Sequence, residues 1–292
     1  MAPRLDDERA RRLIADYFGT NSRLRLLRRA TTFGAPVFVV DYDRGARHYR
    51  TFGSFGPSFG ANDPAAPQLT EQSSMDLLYP AQLVFHYERL MSLSFALVER
   101  PVTALLLGVG GAAMWRFMRA YLPECAATLV DADDNVVAMA RRWFYLTQPV
   151  VIDSAQRFLA GNTQQFDVVH VDLYDAQGPI PADALFWARA IDALAQGGCL
   201  AVNWADFASN QTVRPMAEGL AAVARSRGLD PYYVTRHGFR DNLVQYLPTG
   251  PERRCEELTG ALERFARERH LPNRGRFILE HCIISPGWPI AT

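Results

Sequence analysis

The sequence predicts an α/β protein with a Rossmann-like, doubly wound, mostly parallel sheet and a small N-terminal β-containing region. Three observations lead to this fold class. From Thr103 onward, short apolar runs alternate with helix-like segments, as strands buried on both faces of a parallel sheet require. A glycine-rich turn follows the first run, and an acid follows the second. The length of 292 residues allows one large domain plus an accessory region.

The first hundred residues predict a small region that contains a helix and a β-hairpin. Residues 6–18 have the amphipathic pattern and acidic first turn of a helix. Residues 37–52 predict two strands around the turn at Asp43-Arg44-Gly45. The stretch 53–67 is rich in glycine and proline, which predicts a loop, and residues 80–97 predict a connecting helix.

Five apolar runs predict the parallel strands of the main sheet. They are residues 104–107, 126–130, 150–152, 166–172 and 199–204. Helices are predicted between them, for example from Asp134 to Tyr145 and from Asp183 to Ala195. The second of these helices is expected to end at Gly197-Gly198.

Two late apolar runs, 241–247 and 277–284, are expected to close the sheet with an antiparallel edge. A helix with one apolar stripe lies between them. The expected organisation is therefore residues 1–100 as the N-terminal region and residues 101–292 as a Rossmann-like catalytic domain.

Composition excludes several classes of function. The 31 basic and 31 acidic residues balance, and no basic stripe is visible, so a nucleic-acid partner is not expected. No apolar run approaches 18 residues and no signal-type segment is present, so we expect a cytoplasmic protein without a membrane partner. Every basic residue is Arg, which excludes lysine chemistry. The four cysteines are scattered, so no metal site is expected.

The glycine-rich turn is the first sign of a ligand site. Gly108, Gly110 and Gly111 link a strand to a helix, where backbone can approach a ligand closely. Such turns also occur where a helix only packs tightly on a strand. Asp131 ends the next strand, 21 positions after Gly110, where a carboxylate can bind ribose hydroxyls. Together they predict an adenosine-containing ligand, the alternative for Asp131 being a helix cap.

Further acids follow the later strands. Asp153 follows the third strand, Asp172 follows the fourth, and Asp175 comes three residues later, before a loop rich in glycine and proline. Ligands bind outside the carboxyl ends of the strands in open α/β sheets, so these acids are expected to converge on one crevice. The alternative for Asp153 is an N-cap. His170 is expected to be a packed core residue rather than a catalytic one.

From about Gln68 to Trp204 the chain resembles the spermidine synthase family, the polyamine aminopropyltransferases built on the class I S-adenosylmethionine-dependent methyltransferase fold. The matching segments keep the family's order and spacing over nearly half of the chain. They are QLTEQSSM (68–75), LLLGVGG (105–111), LVDADDNVVAMARRWF (129–144), FDVVHVDLYD (166–175) and the Gly-Gly turn before CLAVNW (199–204). The resemblance implies an enzyme of polyamine biosynthesis that forms homodimers or larger homo-oligomers.

The resemblance also implies a role for each matching residue. The donor, decarboxylated S-adenosylmethionine or S-adenosylmethionine itself, would be held without a metal by Gly108, Gly110, Gly111, Asp131, Asp153 and Gln72. Within that set, Asp131 would bind the ribose hydroxyls and Asp153 the adenine amino group. Asp172 would be the catalytic acid that orients and deprotonates the attacking amine. Asp175, Tyr79 and Gln68 would contact the acceptor amine, and residues 176–182 would form a lid.

The chain departs from the family pattern at three points. Gly111 stands where the family's glycine turn carries the Asp that binds the donor's amino group, and Gln72-Ser73 replaces an acidic pair. A later Tyr-Pro-Ser-Gly segment is not visible around Arg236 to Asn242. Two alternatives to aminopropyl transfer therefore stay open. One is methyl or aminocarboxypropyl transfer from intact S-adenosylmethionine, and the other is a non-catalytic binding module.

Overall fold

The computed structural model describes residues 7–28, 36–57, 67–175, 178–205, 207, 211–236, 242–250, 255–271 and 282–285. Over these ranges the chain forms a four-stranded sheet, an eight-stranded sheet and a two-stranded hairpin. No helix in the described ranges is long and apolar enough to cross a membrane.

The N-terminal region is one helix and an antiparallel sheet whose strands follow chain order. Its elements are α1 (Asp7–Phe18), β1 (Arg23–Arg28), β2 (Val37–Arg44), β3 (Arg47–Pro57) and β4 (Pro67–Asp76). The predicted helix and hairpin are confirmed. Arg44 pairs with Arg47, so the turn is Gly45-Ala46, and Gly45 has the positive φ that such a turn requires.

The predicted loop over residues 53–67 is wrong at both ends, because β3 continues to Pro57 and β4 begins at Pro67. Strand β4 was not predicted, since its sequence is polar and lacks an apolar alternation. Hydrogen bonds between polar side chains of neighbouring strands accompany the apolar packing of Met75 here. The hydroxyl of Thr51 on β3 contacts Ser74 at 2.8 Å and Glu71 at 3.2 Å.

The connection to the main sheet is α2 (His86–Ser92), continued by a 3₁₀ helix (Leu93–Leu97). The prediction of a helix over 80–97 is therefore wrong for its first six residues. The carbonyls of Leu83 and Val84 accept hydrogen bonds from the Arg89 side chain, at 2.8 and 3.2 Å, instead of from a helical backbone.

The large sheet has the order β14-β12-β13-β11-β8-β5-β6-β7. Its strands are β5 (Thr103–Leu107), β6 (Ala126–Asp131), β7 (Val150–Ile152), β8 (Phe166–Val171), β11 (Leu194–Ala205), β12 (Tyr232–Arg236), β13 (Asn242–Pro248) and β14 (Cys282–Ser285). The two-stranded hairpin is formed by β9 (Tyr174–Asp175) and β10 (Gly178–Pro179). The five predicted parallel strands pair in parallel. The predicted antiparallel edge is confirmed in β13 and β14, and β12, which pairs with both, was not predicted.

Six helices accompany this sheet. They are α3 (Ala113–Tyr121), α4 (Asp134–Trp143), α5 (Ala155–Gly161), α6 (Ala184–Asp192), α7 (Val213–Arg225) and α8 (Cys255–Glu268). The predicted end of α6 is wrong. The helix stops at Asp192, and Gly197-Gly198 lies inside β11, where the register with β8 is irregular. Gly197 has φ +80°, so the glycine pair forms a bulge rather than a helix stop.

Alternate residues of the central strands enter two separate cores. Leu105 and Leu107 of β5 pack with α5, α6 and α7 on one face of the sheet. Ala104 and Leu106 pack with α3, α4 and α8 on the other. This two-faced burial is the reason for the continuous apolar runs in the sequence.

The N-terminal sheet packs against α4 through a third apolar cluster, which includes Val39, Phe52 and Met75 from the sheet and Met139 from the helix. A polar interaction adds to this apolar contact. Arg50 forms an ion pair with Asp41 on its own sheet at 2.6 Å and donates to the carbonyl of Trp143 at 3.1 Å. The N-terminal sheet is thereby held beside the carboxyl ends of the parallel strands.

Candidate active site

A cavity of about 470 Å³ lies at the carboxyl ends of the parallel strands. Strand β5 has β6 on one side and β8 on the other. The chain continues from β5 to β6 and β7, and then crosses to the other side of β5 to form β8. This is the topological switch point at which open α/β sheets bind ligands. The glycine turn after β5 and residues from β4 of the N-terminal sheet contribute to the wall.

Gly108 brings two loops of the site into contact. It has φ +90°, and a Cβ at this position would overlap the carbonyl oxygen of Asp172. The amide of Asp172 in turn donates to the carbonyl of Leu107 at 2.9 Å. Because only glycine combines this backbone angle with this close approach, residue 108 fixes the position of Asp172 relative to the turn.

Gly111 is packed against the N-terminal sheet. A Cβ on Gly111 would lie 2.5 Å from the hydroxyl oxygen of Ser73 and 2.7 Å from its Cβ. Both distances are shorter than van der Waals contact allows. The turn therefore has no room for an acidic side chain at this position while β4 keeps its place.

Asp131 links β6 to the glycine turn. Its carboxylate accepts the amides of Val109 and Asp133, each at 2.9 Å. Asp133, and not Asp131, caps α4, by accepting the amide of Asn135 at 2.9 Å. Burial raises the pKa of Asp131, and the backbone amides oppose this shift. Asp131 thus lines the cavity without serving as the helix cap.

Asp153 is also not a cap. The N-cap of α5 is Ser154, whose hydroxyl accepts the amide of Arg157 at 3.2 Å. The carboxylate of Asp153 accepts the amide of Ser154 at 2.8 Å and lies 3.3 Å from the exposed guanidinium of Arg157. Asp153 remains on the cavity wall and can accept a hydrogen bond from a ligand.

Asp172 is held by two polar neighbours that lie far away in sequence. Asn203 donates to its carboxylate at 2.9 Å and accepts from Asn242 at 2.9 Å. The hydroxyl of Tyr87 is shared between Asp172 and the carbonyl of Gln72, which is 3.3 Å away. Burial raises the pKa of Asp172, and the hydrogen bonds from Asn203 and Tyr87 lower it. The carboxylate is oriented by this network.

Glu88 is a second deeply buried carboxyl group on the wall, with 4% of its surface exposed. One of its oxygens accepts the amide of Phe85 at 3.1 Å. Burial raises the pKa of Glu88 to about 7; Phe85 and Arg116 oppose the shift, and Asp172 adds to it.

Sequence reasoning missed Glu88, Tyr87 and Asn203. A single charge on a short helix gives no signal for Glu88. For Asn203, the signal was available as a polar residue inside an apolar strand.

The charged side chains that line the cavity in the described ranges are all acidic. Five acids line it within the described ranges, and no arginine does. These acids are Glu71, Glu88, Asp131, Asp153 and Asp172. Among the described residues, Asp153 alone of the five has a cation within 4 Å. Such a wall favours a ligand that carries positive charge.

The structure brings together most, but not all, of the predicted site residues. Gly108, Gly110, Gly111, Asp131, Asp153, Gln72 and Asp172 line the cavity. Tyr79 does not, since it is half exposed and lies under the guanidinium of Arg47. The side chains of Gln68 and Asp175, and residues 176–177 of the expected lid, lie outside the described part of the chain. No cluster of metal-binding side chains occurs among the described residues.

His170 also reaches the cavity wall but is a packed histidine. Its Nε2 is 2.7 Å from the hydroxyl of Ser94, and its ring meets Phe95 edge-on. Burial lowers the pKa of His170 to about 3, so the ring is neutral.

Comparison with known proteins finds a matching domain. The sequence profile of the spermine/spermidine synthase domain matches residues 84–235, just over half of the chain. A polyamine aminopropyltransferase from Chromobacterium violaceum is 34% identical over 173 residues. That alignment covers 55% of this chain and 64% of the relative, so the chain spans less than two thirds of the relative's length.

Solved structures share the fold. A probable spermidine synthase from Corynebacterium glutamicum has a TM-score of 0.56 and 17% identity, covering 82% of this chain and 93% of that one. Human methyltransferase-like protein 13, solved in complex with SAH, has a TM-score of 0.53 and 18% identity, covering 65% and 95%. The predicted Rossmann-like, methyltransferase-type fold is confirmed by these similarities and by the sheet order.

Replacement of Gly108 should be far more costly than replacement of Gly110. Gly110 has φ +49°, and no atom lies within 4 Å of the place that a Cβ would take, so Gly110→Ala should cost only about 1 kcal/mol of backbone strain. Gly108→Ala adds the overlap with Asp172 and should cost about 2–5 kcal/mol. Denaturant unfolding of both variants measures this, and equal losses would contradict the close approach.

The raised pKa of Glu88 should make stability depend on pH. The folded chain, with a pKa of about 7 against an ordinary 4.5, holds this proton more tightly than the unfolded chain. Raising the pH from 4.5 to about 7 should therefore cost the folded state about 3 kcal/mol through this group. Glu88→Gln keeps an acceptor for Phe85 and never ionises.

The free energy of unfolding of Glu88→Gln, relative to wild type, should accordingly rise across this pH range. Chemical unfolding at several pH values measures it. A constant difference would show that Glu88 titrates normally.

Proposed function

The chain belongs to the spermine/spermidine synthase family, and we propose that it is an aminopropyltransferase that uses decarboxylated S-adenosylmethionine as donor and an amine as acceptor. The observation that carries this proposal is the acidic cavity at the switch point, without an arginine among its described wall residues. The donor has a sulfonium and an ammonium group, and the acceptor is a cation until it loses a proton. Both match a cavity of this charge.

In this proposal the glycine turn and two strand-end acids hold the nucleoside of the donor. Asp131 accepts hydrogen bonds from the ribose hydroxyls, because a carboxylate has about four acceptor sites and the amides of Val109, Gly110 and Asp133 do not fill them all. Asp153 accepts a hydrogen bond from the adenine amino group. Gly108 and Gly110 allow the backbone to approach the ligand, as a Cβ at either position would be strained.

Asp172 acts on the acceptor. The nitrogen of the acceptor amine attacks the carbon attached to sulfur, the new C–N bond forms as the C–S bond breaks, and the bonding pair leaves on sulfur as the neutral thioether methylthioadenosine. Asp172 orients the amine and accepts its proton. Asn203 and Tyr87 keep the carboxylate in place and oppose the rise in its pKa, which favours the ionised form that a base requires.

A second candidate rests on Gly111. The turn lacks the acid that would bind a donor's amino group and repel a carboxylate, so intact S-adenosylmethionine is the alternative donor. The transferred group would then be methyl or aminocarboxypropyl. The identity of the acceptor, the homo-oligomeric state and the cytoplasmic location stay predictions, as does contact of Gln68, Tyr79 and Asp175 with the acceptor.

A ligand panel tests the proposal against this alternative. A ligand at a hundred times its dissociation constant stabilises the fold by about 2.7 kcal/mol, which raises the melting temperature by about a degree or more. We expect decarboxylated S-adenosylmethionine and methylthioadenosine to produce this shift. A shift only with S-adenosylmethionine and S-adenosylhomocysteine would favour the alternative donor, and no shift with any of the four would favour a binding module.

Asp172→Asn should lower the rate of aminopropyl transfer by about 100- to 10,000-fold, because an amide cannot accept the proton. The amide oxygen can still accept from Asn203, so donor affinity should change little. Asp183→Asn is a matched control, since Asp183 caps α6 away from the cavity and Asn is also a good cap. An unchanged rate in Asp172→Asn would remove Asp172 from the mechanism.

A further inference from the structure

The proposed donor brings an ammonium group into the cavity, and the glycine turn has no acid to meet it. Gly111 carries no side chain, and β4 leaves no space for one. A buried ammonium group without a counter-charge is strongly unfavourable. Another carboxyl group within reach of the turn is therefore needed if this donor is bound.

Glu88 is a buried acid of the same cavity wall whose only contact so far is with the amide of Phe85 at the start of α2. Arg116, whose guanidinium donates to the carbonyl of Gly111, favours the ionised form of Glu88, and Asp172 disfavours it. Glu88, the glycine turn and the proposed base all line the same cavity. A donor whose nucleoside lies at the turn and whose reactive carbon lies at Asp172 occupies this cavity.

The carboxyl group of Glu88 can also accept a further hydrogen bond. One oxygen accepts the amide of Phe85, and among the described residues the other oxygen has no hydrogen-bond partner. No ion pair within the described ranges includes Glu88. Glu71, the other acid without a role, is already bound by the hydroxyls of Tyr17 and Thr51, each at 3.2 Å.

We propose that Glu88 is the carboxylate that binds the ammonium group of the donor's aminopropyl chain, in place of an acid on the glycine turn. This assignment rests on the proposed aminopropyl transfer. It makes Glu88 the residue that distinguishes decarboxylated S-adenosylmethionine from nucleosides without an amine, while Asp131 and Asp153 bind the part that all of these nucleosides share.

The charges around Glu88 agree with this role. Arg116 and Arg89 favour its ionised form, Asp172 disfavours it, and the neutral phenol of Tyr87 lies beside it. Burial is the main cause that raises the pKa of Glu88 to about 7, and Asp172 adds to the rise against the opposing effect of the two arginines. A bound ammonium group, which stays protonated at neutral pH, would draw the proton off Glu88, so donor affinity should increase as the pH rises through 7.

The test compares two nucleosides on Glu88→Gln by calorimetry. Decarboxylated S-adenosylmethionine carries the ammonium group, and methylthioadenosine carries none. We expect the variant to bind the donor at least about tenfold more weakly, as expected for the loss of a charge-assisted hydrogen bond, and methylthioadenosine as well as wild type does. The increase of donor affinity from pH 6 to pH 8 should be weaker in the variant.

Asp183→Asn is the matched control, because it neutralises an acid that does not line the cavity, and its donor affinity should stay near that of wild type. Unchanged donor affinity in Glu88→Gln would overturn the assignment. An equal loss for both nucleosides would also overturn it, since Glu88 would then only support the fold, for example as a counter-charge to Arg116. If wild type binds neither nucleoside, the proposed function itself fails, and that result is distinct from the first two.

Discussion

The contact between Gly108 and the backbone of Asp172 is the constraint on which the site depends. It places the end of the fourth parallel strand directly against the turn that follows the first. The site is therefore built from backbone packed on backbone, and side chains are added to that frame. Asp131 strengthens the same frame by accepting an amide of the glycine turn. Loops fixed in this way can hold acids close together despite their mutual repulsion.

A wall with five acids and no arginine among its described residues gives the cavity its chemical character. Buried carboxyl groups that lack partners are costly, and proteins keep them mainly where they serve a function. In this cavity, burial raises the pKa values of both Asp172 and Glu88, and the two carboxyl groups have different neighbours. Asp172 has an amide and a phenol, whereas Glu88 has a backbone amide and two distant guanidinium groups. This difference in surroundings is the basis of the two different roles proposed for these acids.

Local chemistry decided what could be predicted from the sequence. The five parallel strands were found because each is apolar along its whole length, and the glycine turn and Asp131 were found because their spacing is regular. Strand β4 was missed because its sequence is mostly polar and pairs with its neighbour partly through polar side chains. Glu88 and Asn203 were missed because their importance arises from residues far away in the chain, which no local pattern reports. The roles of the acids toward ligands remain predictions.

The packing of Ser73 on Gly111 has an evolutionary consequence. An acid at position 111 would collide with the N-terminal sheet, so this substitution is tolerated only after residue 73 or the path of its strand has changed. The two positions are thus epistatic, although they lie on different sheets and in distant parts of the sequence. A chain with this pair is not expected to gain an acidic turn by one substitution. Its descendants would be expected to retain or lose both features together.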